Sequence, residues 1–279
     1  MSSRVSIPAS SNASLASTLA RVSAQDEAVF ARVGRPSSGC WISPADLVDP
    51  ATSHLDNLIS QVAEYVVAER RVAAALFFHM YVWAVSAGAI CAYVSERRVP
   101  EIAGANVLLE FNERGMGKGV ALLAPRFAAL RSDPARGDPD VTVLRRTVDL
   151  TDWLCANLIA GNLAPVAGAI RERRLLGWPI LWGIAADTCA SAFVHAAEML
   201  PDRRRALDIG NAFLAHSDSP FRGRTKLLTR QRAGRRQNYI RRAACCLGYR
   251  AEIFGYCETC PLLGEEEIER RLTAGLEQS

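Results

Sequence analysis

The stretch VAAALFFHMYVWAVSAGAICAYVS, residues 72–95, runs for 24 residues without a formally charged side chain. That length is enough to cross a lipid bilayer. However, the stretch contains His79, and the arginine pairs Arg70–Arg71 and Arg97–Arg98 flank its two ends, so it lacks the charge asymmetry that orients a membrane span. A helix that is buried on all sides in a helical protein shows the same pattern. We therefore expect a core helix here.

The segments around this helix show helical periodicity. Apolar residues recur at three- and four-residue steps from Leu15 to Val33, where Gly34 supplies a stop, and from Leu55 to Val66. Further helices are predicted at about 149–173 with a kink at Pro165, at 179–199, at 203–215 and at 265–277.

One region has the pattern of strands. VLLEF at 107–111 and VALL at 120–123 are separated by the glycine-rich stretch NERGMGKG, which is typical of a β-hairpin. The predicted fold is therefore mainly α, with a small mid-chain β-hairpin near 107–123. We place a helical body at 1–217 and an arginine-rich segment with a cysteine-rich module at 218–279, and we expect the two to form one integrated domain.

Composition and motifs give no support to several classes of protein. A net charge of +4 is too small to indicate a nucleic-acid-binding protein by itself. No apolar segment follows Arg4 as a signal peptide requires, so we expect the reducing cytoplasm, where clustered cysteines favour metal or redox chemistry. The glycines Gly115, Gly117 and Gly119 match neither a phosphate-binding loop nor a dinucleotide fingerprint. The sequence shows no histidine pair with ligand spacing and no serine nucleophile motif.

Four of the eight cysteines lie within sixteen residues near the C-terminus. Cys245, Cys246, Cys257 and Cys260 have the spacing C-C-x10-C-x2-C, in which the second pair is a familiar metal-binding turn. Adjacent cysteines point in different directions and fit a single tetrahedral ion poorly, whereas a two-iron cluster accepts irregular spacings. A zinc site and a disulfide or core role remain the alternatives.

This motif resembles that of the FhuF-like ferric-siderophore reductases. The likeness includes the Arg241-Arg242 pair ahead of the cysteines, Tyr249-Arg250 between them and Pro261 after the last. It extends to the apolar helix, the mid-chain hairpin and the segment from Pro179 to Gly183. Two alanines separate the arginine pair from the cysteines here, where the family usually has one residue.

The resemblance implies a [2Fe-2S] cluster on Cys245, Cys246, Cys257 and Cys260, with Arg242 and Arg250 as a possible surrounding shell. It implies a ferric siderophore as substrate and one-electron reduction of its iron to Fe(II). With no nucleotide site in the sequence, we expect a separate electron donor such as a ferredoxin or a flavin reductase. We expect no nucleic-acid partner and a cytoplasmic protein that is at most peripheral at the inner face of the membrane. The rival hypotheses are a non-catalytic siderophore- or metal-binding protein and a cluster- or zinc-dependent regulator.

The approach to the cysteines is strongly basic. From Ser219 to Ala251 there are ten basic residues and no acidic one. Such a run is usually a solvated surface. Near a cluster of net negative charge, it would instead favour the reduced state and attract anionic partners. We expect Arg242 and Arg250 to affect the cluster potential, and the more distant Arg224 to affect association.

Overall fold

The computed structural model describes residues 14–26, 29–199, 203–232 and 235–278. The helices are α1 Leu15–Gln25, α2 Pro44–Val48, α3 His54–Val66, α4 Arg70–Glu96, α5 Thr147–Leu154, α6 Ala164–Glu172, α7 Trp178–Met199, α8 Arg203–Leu214 and α9 Glu265–Gln278. The strands are β1 Ala31–Val33, β2 Trp41–Ile42, β3 Arg98–Pro100, β4 Val107–Phe111, β5 Gly117–Leu122, β6 Phe127–Leu130, β7 Val141–Leu144, β8 Lys226–Arg232 and β9 Arg235–Arg241. A π-helical segment, Cys155–Leu163, joins α5 to α6. The mainly α fold class is confirmed.

Helix α4 lies at the centre of the body. Nineteen of its 27 residues are buried, and it packs most extensively against α7 and α3. Its apolar character on all faces follows from this position, because helices and strands cover it on several sides. The rest of the chain therefore surrounds α4, which the sequence predicted to be a core helix.

In the part of the chain that the structure describes, three helices are long and apolar enough to cross a membrane by length and composition alone. They span Arg70–Glu96, Thr147–Glu172 and Trp178–Met199, and the protein itself buries 78%, 56% and 72% of their most apolar windows. Burial of this extent supplies each helix with protein neighbours. The expectation of a soluble or peripheral protein stays a prediction.

Two small sheets line the helical body. Strands β4 and β5 form the predicted antiparallel hairpin, with Leu109 opposite Val120. Strand β1 extends this sheet in parallel beside β5, and β2 pairs with β4, while β3, β6 and β7 form a second sheet. The prediction of a single strand region was therefore incomplete. The additional strands in these two sheets have only two to four residues each and obtain their hydrogen bonds from distant parts of the chain.

One detail of the helical prediction was wrong. Helix α1 ends at Gln25, and the apolar residues near Val33 belong to β1, which stops before Gly34 with its positive φ of 97°. The kink at Pro165 stays a prediction. This proline lies in the first turn of α6, where its missing N–H is tolerated, and the preceding turns adopt π-helical geometry.

The arginine-rich segment forms a β-hairpin of β8 and β9, with Leu227 opposite Ile240. These two side chains are buried, and the hairpin packs against α7 and α8. On its outer side Arg230 pairs with Glu269 of α9 at 2.7 Å. The hairpin thus carries the chain from the helical body to the cysteines. The division near residue 217 stays a prediction.

Candidate metal centre

The cysteines lie in a loop that runs from Arg242 to Leu263, which we call the cysteine loop. It begins where β9 ends and includes a short 3-10 turn, Gly248–Arg250, that packs on α4. Leu247 holds a left-handed backbone conformation, with φ 61°, and turns the chain directly after the vicinal pair. Gly248 lies against Leu76 of α4. The helical body therefore supports the cysteine loop through contacts with α4.

The loop brings all four thiols together. Those of Cys245 and Cys257 are each within hydrogen-bonding reach of the Cys260 thiol, and the Cys246 thiol lies close enough to both to interact with them electrostatically. The amide of Leu247 donates to Sγ of Cys245 at 3.3 Å, and the amide of Cys260 donates to the carbonyl of Cys257 at 3.2 Å. The second bond closes the tight turn of the C-x2-C pair. None of the four is in a disulfide.

The chemistry of this donor set fits a [2Fe-2S] cluster. Burial, followed by smaller effects of the neighbouring thiols, raises the pKa values of Cys245 and Cys257 to about 11. Four thiols packed together resist ionisation until a cation neutralises them, and this is the environment that a metal group stabilises. Within the described residues, no three His, Cys, Asp or Glu side chains are arranged to hold one metal ion. Four cysteine thiolates are the donor set that a [2Fe-2S] cluster takes.

The other four cysteines lie outside this loop. Cys91, Cys155 and Cys189 are buried in the helical core, and burial raises the pKa of each, to about 12 for Cys91 and Cys155. Cys40 lies exposed near the first strands. Buried neutral thiols of this kind are inert packing groups.

Asp187 of α7 holds the start of the cysteine loop, and sequence reasoning missed it. Its carboxylate accepts hydrogen bonds from the amides of Ala243 at 2.8 Å and Ala244 at 3.2 Å, and from the hydroxyl of Thr225. The side chain is almost fully buried, and burial raises its pKa against the effect of these donors. The signal was present in the sequence, since Asp187 is the only charged residue between Trp178 and Val194 in a mostly apolar helix.

One turn before Asp187, Gly183 lets the same loop approach α7. A Cβ built on Gly183 would overlap the Cβ of Ala244. Glycine is costly within a helix, so its presence at this position is explained by the close approach of another backbone. Gly183 and Asp187 therefore act on one face of α7: the glycine makes room for the loop and the carboxylate bonds it.

The structure places Arg242 and Arg250, the two arginines predicted to surround the cluster, differently. Arg242 lies within electrostatic range of Cys257, and of Asp187 and His79. Among the residues that the structure describes, its buried Nε atom has no hydrogen-bond partner. Arg250 instead pairs with Glu69, directly before α4, at 2.9 Å. Arg242 therefore lies where its charge acts on the cysteines. Arg250 instead fastens the cysteine loop to the helical body.

The prediction for Arg224 needs a correction. Its Nε donates to the carbonyl of Pro220 at 2.7 Å, so the side chain stabilises the turn that carries Thr225. Because Thr225 bonds Asp187, Arg224 is coupled to the cysteine loop through structure and is a poor choice for testing association alone.

Sequence comparisons agree with this geometry. The model of the family described as "Ferric iron reductase FhuF-like transporter" matches residues 75–240, and that of the "FhuF 2Fe-2S C-terminal domain" matches residues 242–262. The first match spans α4 to β9, and the second covers the cysteine loop. No curated protein matches the chain.

Similar solved structures include siderophore-biosynthesis enzymes, at low identity. Aerobactin synthetase IucA from Klebsiella pneumoniae, in two structures of which one is ATP-bound, is 11% identical over 58% of this chain, with TM-scores of 0.45 and 0.42. Petrobactin biosynthesis protein AsbB from Bacillus anthracis is 12% identical over 73% of this chain, with a TM-score of 0.41. The chain covers 29–32% of the length of these proteins.

Proposed function

Because the chain belongs to the FhuF-like family of ferric iron reductases, we propose that it reduces siderophore-bound Fe(III) to Fe(II) and so releases the iron. Siderophores bind Fe(III) through hard, anionic oxygen atoms, which hold the less charged Fe(II) weakly. One electron delivered to the chelated ion is therefore sufficient to weaken the complex. The reaction needs neither a general base nor a nucleophile.

The observation that carries the proposal is the convergence of four free thiols in the cysteine loop. We propose that Cys245, Cys246, Cys257 and Cys260 hold the [2Fe-2S] cluster of this family. When bound, such a cluster accepts and delivers one electron at a time. The chain holds the thiols in place through α4 and α7, and Arg242 offsets negative charge beside Cys257.

We further propose a separate electron donor, a ferredoxin or a flavin reductase, and a cytoplasmic location that is at most peripheral to the inner membrane. The extensive burial of α4 within the protein supports this location. Extraction of cell membranes with alkaline carbonate tests it. We expect the protein in the soluble fraction, and retention in the membrane until detergent is added would contradict the proposal.

Anaerobic purification with iron and sulfide analysis tests the function. We expect a red-brown protein with two irons and two sulfides per chain, which releases Fe(II) from a ferric siderophore once chemically reduced. Cys257→Ser and Cys260→Ser should abolish both the colour and the Fe(II) release. The matched changes Cys91→Ser and Cys155→Ser, in the core, should abolish neither. A colourless protein with stoichiometric zinc would overturn the proposal.

A further inference from the structure

A solvent-open cleft of about 460 Å³ borders the cysteine loop. Its walls are the second half of α7, Trp83 of α4, the end of β9 and the segment Cys257–Thr259. We propose that this cleft, which we call the Cys257 cleft, is where the ferric chelate binds for reduction. The inference rests on the proposed function and adds the place at which the substrate meets the protein.

The position of Cys257 is the first argument. Electron transfer to a chelated ion requires close approach to the cluster, and here one of the proposed cluster ligands forms part of the wall. Two other clefts of similar size differ in this respect. A cleft of about 550 Å³ lies at the π-helical segment, beside Asp152 and His216, and one of about 400 Å³ lies between β9, the cysteine loop and α9. Neither wall includes one of the four clustered cysteines.

The chemistry of the wall is the second argument. Trp83 and Tyr239 supply aromatic faces, and Trp83 is held by an edge contact with His195, at 5.5 Å between ring centroids. Ser191, Gln237 and Asn238 add neutral polar groups. A siderophore complex is a bulky ligand with an organic framework and polar chelating groups, and clefts of mixed aromatic and polar lining suit ligands of that kind.

The charge of the wall is the third argument. Arg242 lines the cleft and adds a positive charge to its wall. A cationic side chain attracts the anionic oxygen atoms of a ferric chelate. The carboxylates of Glu198 and Glu258 also line the cleft, so its wall presents charges of both signs.

Binding is measured without electron transfer by using redox-inert gallium(III) chelates. The probes are the gallium(III) complexes of a linear trihydroxamate and of a tricatecholate, titrated calorimetrically into the cluster-loaded protein. We expect at least one of them to bind. Trp83→Ala and Tyr239→Ala should each weaken that binding about three- to tenfold, the loss typical of an aromatic contact.

Matched controls separate the cleft from general effects of losing an aromatic residue. Trp153→Ala on α5 and Tyr65→Ala on α3 remove half-buried or exposed aromatics that do not line the cleft, and they should leave binding unchanged. Ser191→Phe introduces bulk from the α7 side and should prevent binding while the protein keeps its iron and sulfide. This variant stays informative if Trp83→Ala fails to fold.

Kinetics provide a second readout. With the corresponding ferric chelate, the cleft variants should raise KM more than they lower kcat, since they remove binding contacts and leave the cysteines intact. Unchanged gallium-chelate affinity in all three cleft variants would overturn the inference, and so would iron reduction by a protein that binds neither chelate. A wild-type protein that binds a chelate in the cleft but never reduces its iron would instead overturn the proposed function.

Discussion

Replacement of Asp187 by alanine removes the carboxylate that fastens the cysteine loop to α7. Three donors lose their acceptor at once: the amides of Ala243 and Ala244 and the hydroxyl of Thr225. Hydrogen bonds to a charged group contribute about 1.5–3 kcal/mol each, which sets an upper range of roughly 4–9 kcal/mol. Ala243 is exposed and Ala244 is half-buried, so water will replace part of the loss. The burial cost of the carboxylate itself also disappears.

We therefore expect Asp187→Ala to lower the free energy of unfolding by about 2–5 kcal/mol. For a chain of 279 residues that corresponds to a fall in Tm of roughly 3–9 °C. The cluster should be lost faster as well, because the loop that carries Cys245 and Cys246 is no longer held. Differential scanning fluorimetry and the iron content after timed incubation measure the two effects.

Two further variants make this test specific. Asp187→Asn keeps the shape and one acceptor oxygen, so it should fall between wild type and alanine on both measurements. Asp208→Ala, on the exposed surface of α8, should change stability by no more than about 0.5 kcal/mol. An Asp187→Ala protein with wild-type Tm and wild-type cluster retention would refute the role of this residue.

The other predictions concern the same neighbourhood. Gly183→Ala should displace the cysteine loop and speed cluster loss, whereas Gly168→Ala, on a helix with open space around it, should stabilise the protein by up to about 1 kcal/mol, and equal thermal behaviour of the two would contradict the close approach. Burial, followed by the charge of Arg242, lowers the pKa of His79 to about 4, so its contribution to stability is present above pH 6.5 and is lost as the pH falls towards 4. Denaturation across this window should show a smaller decline for His79→Gln than for wild type, and parallel curves would exclude the effect. Arg242→Ala should lower the cluster potential in a redox titration, because it removes positive charge beside Cys257, whereas the exposed Arg236→Ala should leave the potential unchanged and reduce reduction rates mainly at low salt. Equal potentials in wild type and Arg242→Ala would leave Arg242 without an electrostatic role.

The elements that the sequence predicted well are those whose pattern is long and local. A run of 24 uncharged residues predicts helix α4, and apolar residues that repeat along one face from Leu55 to Val66 predict α3. The β4–β5 hairpin is also local, since a short glycine-containing turn joins its strands. The cysteine spacing identified the candidate ligands for the same reason, because all four lie within one short segment.

The elements that were missed depend on distant partners. Strand β1 has three residues and pairs with β5, nearly ninety residues later, and its apolar residues continue the helical spacing of α1. The sequence did not predict the β8–β9 hairpin, because its few buried side chains, such as Leu227 and Ile240, lie among many arginines that mask the apolar pattern of a strand. The periodicity of a single segment does not show which distant strand it pairs with, and that pairing decides whether a short segment forms a strand.

Asp187 shows most directly that the site includes residues that the cysteine motif does not reveal. The carboxylate and the amides that it accepts from are more than fifty residues apart in sequence, and no local pattern links them. Its burial in an apolar helix is explained only when the cysteine loop is laid across that helix, where the loop supplies its donors. The loop in turn depends on Gly183 and on contacts with α4. Since the cysteine loop supplies donors to a buried carboxylate of the body, that carboxylate is left without them when the loop is absent. We therefore propose one integrated domain rather than two that fold independently.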